Sequence, residues 1–237
     1  MALVTISIIP INGIGEVTPG QDVATLIGNA LDAGPEHLSD GDVLVVTHKI
    51  VSKAEGRIVE LPDDGPDSHR YLVDEESVEI VRRRGNLVIA RTRHGFICAN
   101  AGVDRSNAGT ARAVLLPIDP DASANRIRQK LGHRFGVEHA VIISDTFGRA
   151  WRRGLTDVAI GVAGIEPITD LRGTSDAHGK ILEVSEVAVV DEIAAAADLV
   201  MGKATQIPAA IVRGAEYERG TSGISALVRP PSEDLFL

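Results

Sequence analysis

Three stretches of the chain combine residue types that handle phosphate and hard cations. Gly13-Ile14-Gly15-Glu16-Val17 follows an apolar run. Glycines separated by one residue let peptide N–H groups turn toward an anion. The spacing is too short for the dinucleotide fingerprint and no third glycine follows, so these residues read equally as an ordinary strand-to-helix turn. In Thr47-His48-Lys49-Ile50-Val51-Ser52-Lys53 the lysines stand four apart and share one face if the segment is helical. Ammonium groups neutralise phosphate as mobile point charges; the other reading is a solvated basic edge. His48 reads either as a structural histidine or as a ligand. Carboxylates occur in Asp145-Thr146, directly after an apolar strand, and in Gly102-Val103-Asp104-Arg105-Ser106-Asn107. Aspartate beside hydroxyls suits Mg²⁺ or Mn²⁺, which take hard oxygen ligands and share them with phosphates. An Asx-turn or a helix cap is the alternative for each. Phosphate binders and cation binders at successive strand ends together point to a metal–nucleotide site.

Other residues carry weaker signals. Arg149, Arg152 and Arg153 around Trp151 read as an anion-binding group or as a surface stripe packed on the tryptophan. Residues 170–179 form a long polar loop of the kind that lines sites or simply covers surface. Cys98 has no nearby basic partner and reads as a buried, inert thiol. No Ser-His-Asp arrangement and no cysteine/histidine zinc spacing is present.

The elements that must position these groups alternate between strands and helices. Val4 to Ile9, Val43 to Val46, Leu87 to Ala90, Ala140 to Ile143 and Ala209 to Val212 are expected strands. Thr18 to Asp22 leads into a helix with Val23, Leu26, Ile27, Ala30 and Leu31 at helical spacing. Further helices are expected over Asp74 to Arg84, stopped by Gly85, over Ser123 to Leu131, and over Ser185 to Met201 with Ser185 as N-cap and Gly202 at the end. Leu61 to Ser68 and Gly220 to Ser225 are expected loops. No internal repeat or linker interrupts the pattern.

Composition narrows the class. In 237 residues, 44% are hydrophobic, enough for a core built from Val, Ile, Leu and Ala, since aromatics make up only 3%. The net charge of -9 and scarce aromatics argue against general nucleic-acid binding. No apolar run reaches bilayer length and the N-terminus lacks a basic leader region. A single cysteine suits a reducing cytoplasm.

Six stretches, in one order along nearly the whole chain, resemble a known family: PINGIGEVTPGQD (10–22), GDVLVVTHKIVSKAEGR (41–57), RTRHGFICANAGVDRSN (91–107), SDTFGRAWRRGLTDVAIGVAGI (144–165), DLRGTSDAHGKIL (170–182) and SEVAVVDEIAAAADLVMGKATQIPAAIVRG (185–214). The family is the coenzyme F420-0:L-glutamate ligases, the γ-glutamyl ligases of the deazaflavin cofactor pathway. The resemblance implies a mixed α/β (α+β) fold, neither Rossmann nor P-loop. The subunit would be one unit of two closely packed lobes in an intertwined homodimer. It implies that GTP phosphorylates a carboxylate of coenzyme F420-0 and that the amine of L-glutamate attacks the acyl phosphate, releasing GDP and phosphate. Mg²⁺ or Mn²⁺ is implied, with K⁺ assisting. By position, Ile14, Gly15, Glu16 and Val17, then His48, Lys53 and Asn107, and finally Met201, Gly202, Lys203, Ala204, Thr205, Gln206, Ile207 and Pro208 match nucleotide contacts. Asp104, Asp145 and Thr146 match metal contacts, and Asp104, Asp145 and Lys53 would carry the catalysis. Lys203 departs from the pattern, standing where some relatives offer an acidic or amide metal ligand; either Lys203 meets phosphate instead, or water completes the metal. Some relatives carry a C-terminal flavin-binding domain. Here Leu237 follows soon after Pro230-Pro231, and no such domain is expected. The wider alternatives are another metal-dependent phosphoryl- or nucleotidyl-transfer enzyme on the same scaffold, or a non-catalytic nucleotide-binding module.

Overall fold

The continuous apolar runs form the buried middle of a five-stranded sheet, because a strand covered on both faces needs no alternation. The protein is described by a computed structural model over residues 5–106 and 110–235. Its first elements are β1 (Ser7–Pro10), α1 (Val23–Ala33), β2 (Val43–Thr47), α2 (His48–Ala54), β3 (Ile58–Glu60), α3 (Arg70–Glu76), β4 (Ser77–Arg84), β5 (Leu87–Thr92), β6 (Ile97–Ala99) and β7 (Arg112–Val114). Then follow α4 (Pro120–Phe135), β8 (Ala140–Arg149), β9 (Arg152–Ala163), β10 (Thr169–Asp170), β11 (Glu186–Val187), α5 (Val189–Met201) and β12 (Ala209–Arg213). The main sheet runs β1-β12-β2-β8-β9. β2 and β8 are parallel and every other pair is antiparallel. Val43 to Val46 and Ala140 to Ile143 are fully shielded from solvent. Helix α4 covers β8 and β9, with α1 packed on it, while α5 packs on β9, β12 and β1.

Between β2 and β8 the chain builds a second, smaller apolar cluster, around Leu72, Val73, Val88, Ala90 and Leu115. It is separate from the main core. Its frame is the antiparallel meander β4-β5-β6 with α3, and the β3-β7 pair lies beside it. The architecture is therefore mixed α/β, as expected. Among the described residues the main sheet contains a single parallel pair, which is neither a doubly wound Rossmann sheet nor a P-loop sheet.

Most expected elements are present, and three differ. The span Asp74 to Arg84 is not one helix: α3 ends at Glu76 and Ser77–Arg84 is strand β4. Val78, Ile80 and Val81 are β-branched and favour a strand. Gly85-Asn86 closes a two-residue hairpin onto β5, with Gly85 at φ +59°. Glu79 and Arg91 then pair across the hairpin at 3.0 Å. Helix α5 starts at Val189 rather than Ser185, since Glu186 and Val187 pair instead with Asp170 and Thr169. Asp191 in its first turn accepts the Ala159 N–H at 2.9 Å. Third, β8 does not stop at Ile143 but continues through Asp145 and Thr146 to Arg149, hairpinned with β9. Helices α1 and α4 also settle their own ends, with Asp22 and Asp119 accepting the Thr25 and Ala122 N–H groups.

Candidate active site

A cavity of about 650 Å³ opens where β2 ends and β8 runs on past it. Three chain segments converge there. The N-terminal loop reaches it between two anchors, Ile11 N–H to Ala209 O at 3.0 Å and Gly20 N–H to Ala54 O at 2.8 Å. Within that loop Ile11, Ile14 and Val17 are buried every third residue, which leaves Gly15 and Glu16 on the open side. Gly13 turns the chain at φ +86°, a conformation glycine adopts without strain. The loop after α5 is tied to the end of β2 by the Thr47 N–H to Pro208 O bond of 2.9 Å. It brings Met201, Gly202, Lys203, Gln206, Ile207 and Pro208 to the wall, whereas Ala204 and Thr205 do not line it.

Strand β8 supplies the carboxylate end. Successive side chains on a strand leave it in opposite directions, so Asp145 and Thr146 take different partners, although both line the cavity. On one side Asp145 Oδ1 lies 3.2 Å from His48 Nε2 of α2, without the alignment of a hydrogen bond. Its own oxygen also receives the Thr146 N–H at 2.7 Å. His48 is fully buried, with Nδ1 at 3.2 Å from Ser52 Oγ. It supports Asp145 from behind and does not line the cavity. On the other side Thr146 is paired directly with Asp157 of β9. Thr146 Oγ1 donates to Asp157 Oδ1 at 2.7 Å, and Ser144 Oγ donates to Asp157 Oδ2 at 2.9 Å.

The lysines of α2 divide their work. Lys53 is 7% exposed and meets Glu16 Oε1 at 2.5 Å. Lys49 Nζ is 2.8 Å from Asp104 Oδ2 and donates to Ser106 Oγ at 2.9 Å. Both lysines line the cavity; Asp104 does not, and is joined to it through Lys49. Its backbone is fixed by a reciprocal pair with Val114, at 2.9 and 2.7 Å. Burial works against the Asp104 carboxylate, but the Lys49 ammonium and the Ser106 hydroxyl and N–H outweigh it and hold the carboxyl below its ordinary range. Asp157 goes the other way. Burial pushes its carboxyl up, bonds from Thr146 and Ser144 oppose the shift, and the charges of Asp198 and Asp145 add to it. Asn107 lies outside the described residues.

The cavity thus sets cations (Lys49, Lys53, Lys203, Arg112) against carboxylates (Asp145, Asp157, Asp198) around an open space. Such an arrangement can take a polyanion and a hard cation together.

Comparison with known proteins supplies the family. The family model described as F420-0:Gamma-glutamyl ligase matches residues 13–214. The chain is 45% identical to the coenzyme F420:L-glutamate ligase of Methanothermobacter thermautotrophicus, covering 98% of both chains. It is 40% identical to that of Methanopyrus kandleri over 99% of this chain and 98% of the relative, and 36% identical to that of Archaeoglobus fulgidus over 98% and 96%. The chain belongs to the F420-0:gamma-glutamyl ligase family.

As a member of this amino-acid ligase family, the protein gathers into one cavity most of the residues singled out by sequence: the Ile14 to Val17 loop, Lys53, Asp145, Thr146 and the loop after α5. The arginines at 149, 152 and 153 and Trp151 do not line it, nor does the 170–179 loop. Asp157, Asp198 and Arg112 line the ligase cavity and were not singled out. Asp157 has no local signal, because its place depends on the β8-β9 register. Asp198 is one of several acids on α5, and Arg112 sits on a short strand far from every motif.

Proposed function

We propose that this ligase joins L-glutamate to coenzyme F420-0 with GTP as the energy source. One observation carries the reading: a single cavity is lined at once by a glycine loop, by Lys49 and Lys53, and by Asp145 and Thr146. A carboxylate of F420-0 would take the γ-phosphoryl group of GTP, breaking the bond between the γ-phosphorus and the bridging oxygen and releasing GDP. The neutral amine of L-glutamate would then attack the acyl phosphate, lose its proton to solvent and expel phosphate. Little covalent work falls to the protein, whose residues must align the reactants and neutralise charge. Lys53, Lys203 and Arg112 line the cavity and would meet phosphate oxygens, and the N–H groups near Gly15 would meet another.

Asp104, Asp145 and Thr146 would hold a divalent cation. The donors fit Mg²⁺ or Mn²⁺: all are hard oxygens, and Thr146 gives its hydrogen to Asp157, which leaves its lone pairs available. Among the described residues no group of three His, Cys, Asp or Glu side chains forms a ready metal cluster. Phosphate and water would complete the cation's shell, since Mg²⁺ usually keeps several waters and shares phosphate oxygens. Binding at Asp104 asks Lys49 to leave that carboxylate. The bound ion would supply charge neutralisation on the phosphates. K⁺ would assist. The ligase would work as a single-unit subunit of a homodimer, whose contact would cover exposed apolar groups such as Val78, 69% accessible. Among the described residues no helix is long and apolar enough to cross a membrane, and the lone buried cysteine fits a reducing cytoplasm.

The test is mass spectrometry of the product after incubation with F420-0, L-glutamate, GTP and Mn²⁺, with GDP release followed in parallel. The reading expects GDP and a glutamylated product in equal amounts. GDP without amide would assign the site to another phosphoryl transfer, and GTP binding without turnover would make it a non-catalytic module.

A further inference from the structure

Asp157 is 5% exposed, lines the cavity, and has as its charged neighbours other carboxylates, Asp198 and Asp145. Placing a carboxylate there is costly, since burial and like charge both disfavour it. A hairpin held only for stability would be served by an uncharged cross-strand pair. The register shows what the position achieves. From Val141 to Ile143, β8 pairs with Ala163 back to Gly161; at Ser144 the pairing skips Ile160 and resumes at Ala159. That one-residue bulge sets Asp157 opposite Thr146. Without it, Asp157 would lie opposite Phe147 and on the wrong face. Both carboxylate oxygens are then used by hydroxyls of β8, Oδ1 by Thr146 and Oδ2 by Ser144.

We propose that Asp157 is a positioning residue that fixes the Thr146 hydroxyl, taking its hydrogen so that its lone pairs face the cavity beside Asp145. The proposal rests on the reading that a divalent cation is held at Asp145 and Thr146. In the structure Thr146 Oγ1 donates to Asp157 Oδ1, so the hydroxyl hydrogen is taken up there and the oxygen stays available as a ligand. Partners of this kind, which orient a ligand without touching the metal, typically change metal affinity ~10–100-fold when removed.

The experiment titrates Mn²⁺ alone into the full-length protein, following free Mn²⁺ by electron paramagnetic resonance, with circular dichroism to confirm folding. Asp157→Ala is expected to weaken Mn²⁺ binding ~10–100-fold, and the isosteric Asp157→Asn, with one acceptor oxygen for two hydroxyl donors, about 10-fold. Asp157→Asn decides the matter if Asp157→Ala does not fold. Ser144→Ala, which loosens the same hairpin but leaves the bond to Thr146, binds Mn²⁺ as the wild type does. In a Thr146→Val background, Asp157→Asn causes no additional loss, because its route to the metal is gone. Wild-type Mn²⁺ affinity in the Asp157 variants, with weakened binding in Asp145→Asn, overturns the positioning role and leaves the metal reading standing. Unchanged binding in Asp145→Asn as well overturns both.

Discussion

Lys49 Nζ lies 2.8 Å from Asp104 Oδ2, so the second residue of α2 holds one aspartate while the first residue, His48, lies against Asp145. Two carboxylates from distant parts of the chain thus lie against consecutive residues of one short helix. The site's charge balance depends on where that helix begins.

Lys49→Met removes the ammonium that holds the Asp104 carboxyl low, while the burial that opposes its charge remains. In the wild type the pair's contribution is complete above the unfolded-state value of ~3.9 and is lost as pH falls through the lower folded value. The variant should be less stable by about 1–3 kcal/mol near neutral pH. The deficit should shrink in buffers more acidic than about pH 4. Thermal unfolding across that range checks it, and a deficit independent of pH would show that the ion pair is not its source.

Asp145→Asn keeps the shape of the side chain and removes its charge. Ligation coupled to GTP hydrolysis should fall ~10²–10³-fold with the fold intact, the cost of losing one charge-stabilising contact. Chelation of divalent ions should abolish wild-type turnover, and Mn²⁺ should restore it. Near-normal turnover of the variant at saturating Mn²⁺ would remove Asp145 from the site.

Gly161→Ala tests the packing that supports the bulge. A Cβ at Gly161 would come within 2.5 Å of Pro120 Cβ and 2.6 Å of its carbonyl carbon, at the first turn of α4. Backbone cannot swing aside as a flexible side chain can, so the variant should lose about 1–3 kcal/mol. Urea unfolding with an unchanged m-value would register it as a shifted midpoint. An unshifted midpoint would mean that α4 moves away freely.

Cys98 is buried, and its thiol is pushed up to about 12 by burial and by the Asp145 charge. It should resist disulfide reagents at pH 8 in the folded protein and react at once in denaturant, because the thiolate is the reactive form. The raised value means that stability falls as pH climbs from the unfolded thiol's range toward 12, where the unfolded chain ionises first. Rapid labelling of the native protein would contradict this burial.

Several features were legible because their physics is local. Asp22 and the spacing from Val23 to Leu31 specify α1, and the short apolar runs at 43–46 and 140–143, rich in Val and Ile, read as covered strands. The burial of Cys98 follows from its apolar neighbours. Ser77 to Arg84 was harder, since Val78 and Val81 satisfy a helical spacing as well as a strand's preference. What separated the two was the Gly85-Asn86 turn joined to a partner strand, a contact between segments. Ser185 failed as a cap for a similar reason: the residues after it found a strand partner at Thr169 and Asp170.

Residue chemistry and short-range spacing are written locally, so the order of the glycine loop, the lysines and the aspartates along the chain was readable without a structure. That Asp104 meets Lys49, that His48 stands behind Asp145 and that Asp157 faces Thr146 came from the folded chain alone. Those pairings depend on strand register, on one skipped residue at Ile160, and on where β2 stops relative to β8. Such quantities are set by the packing of whole elements, which no window of neighbouring residues contains.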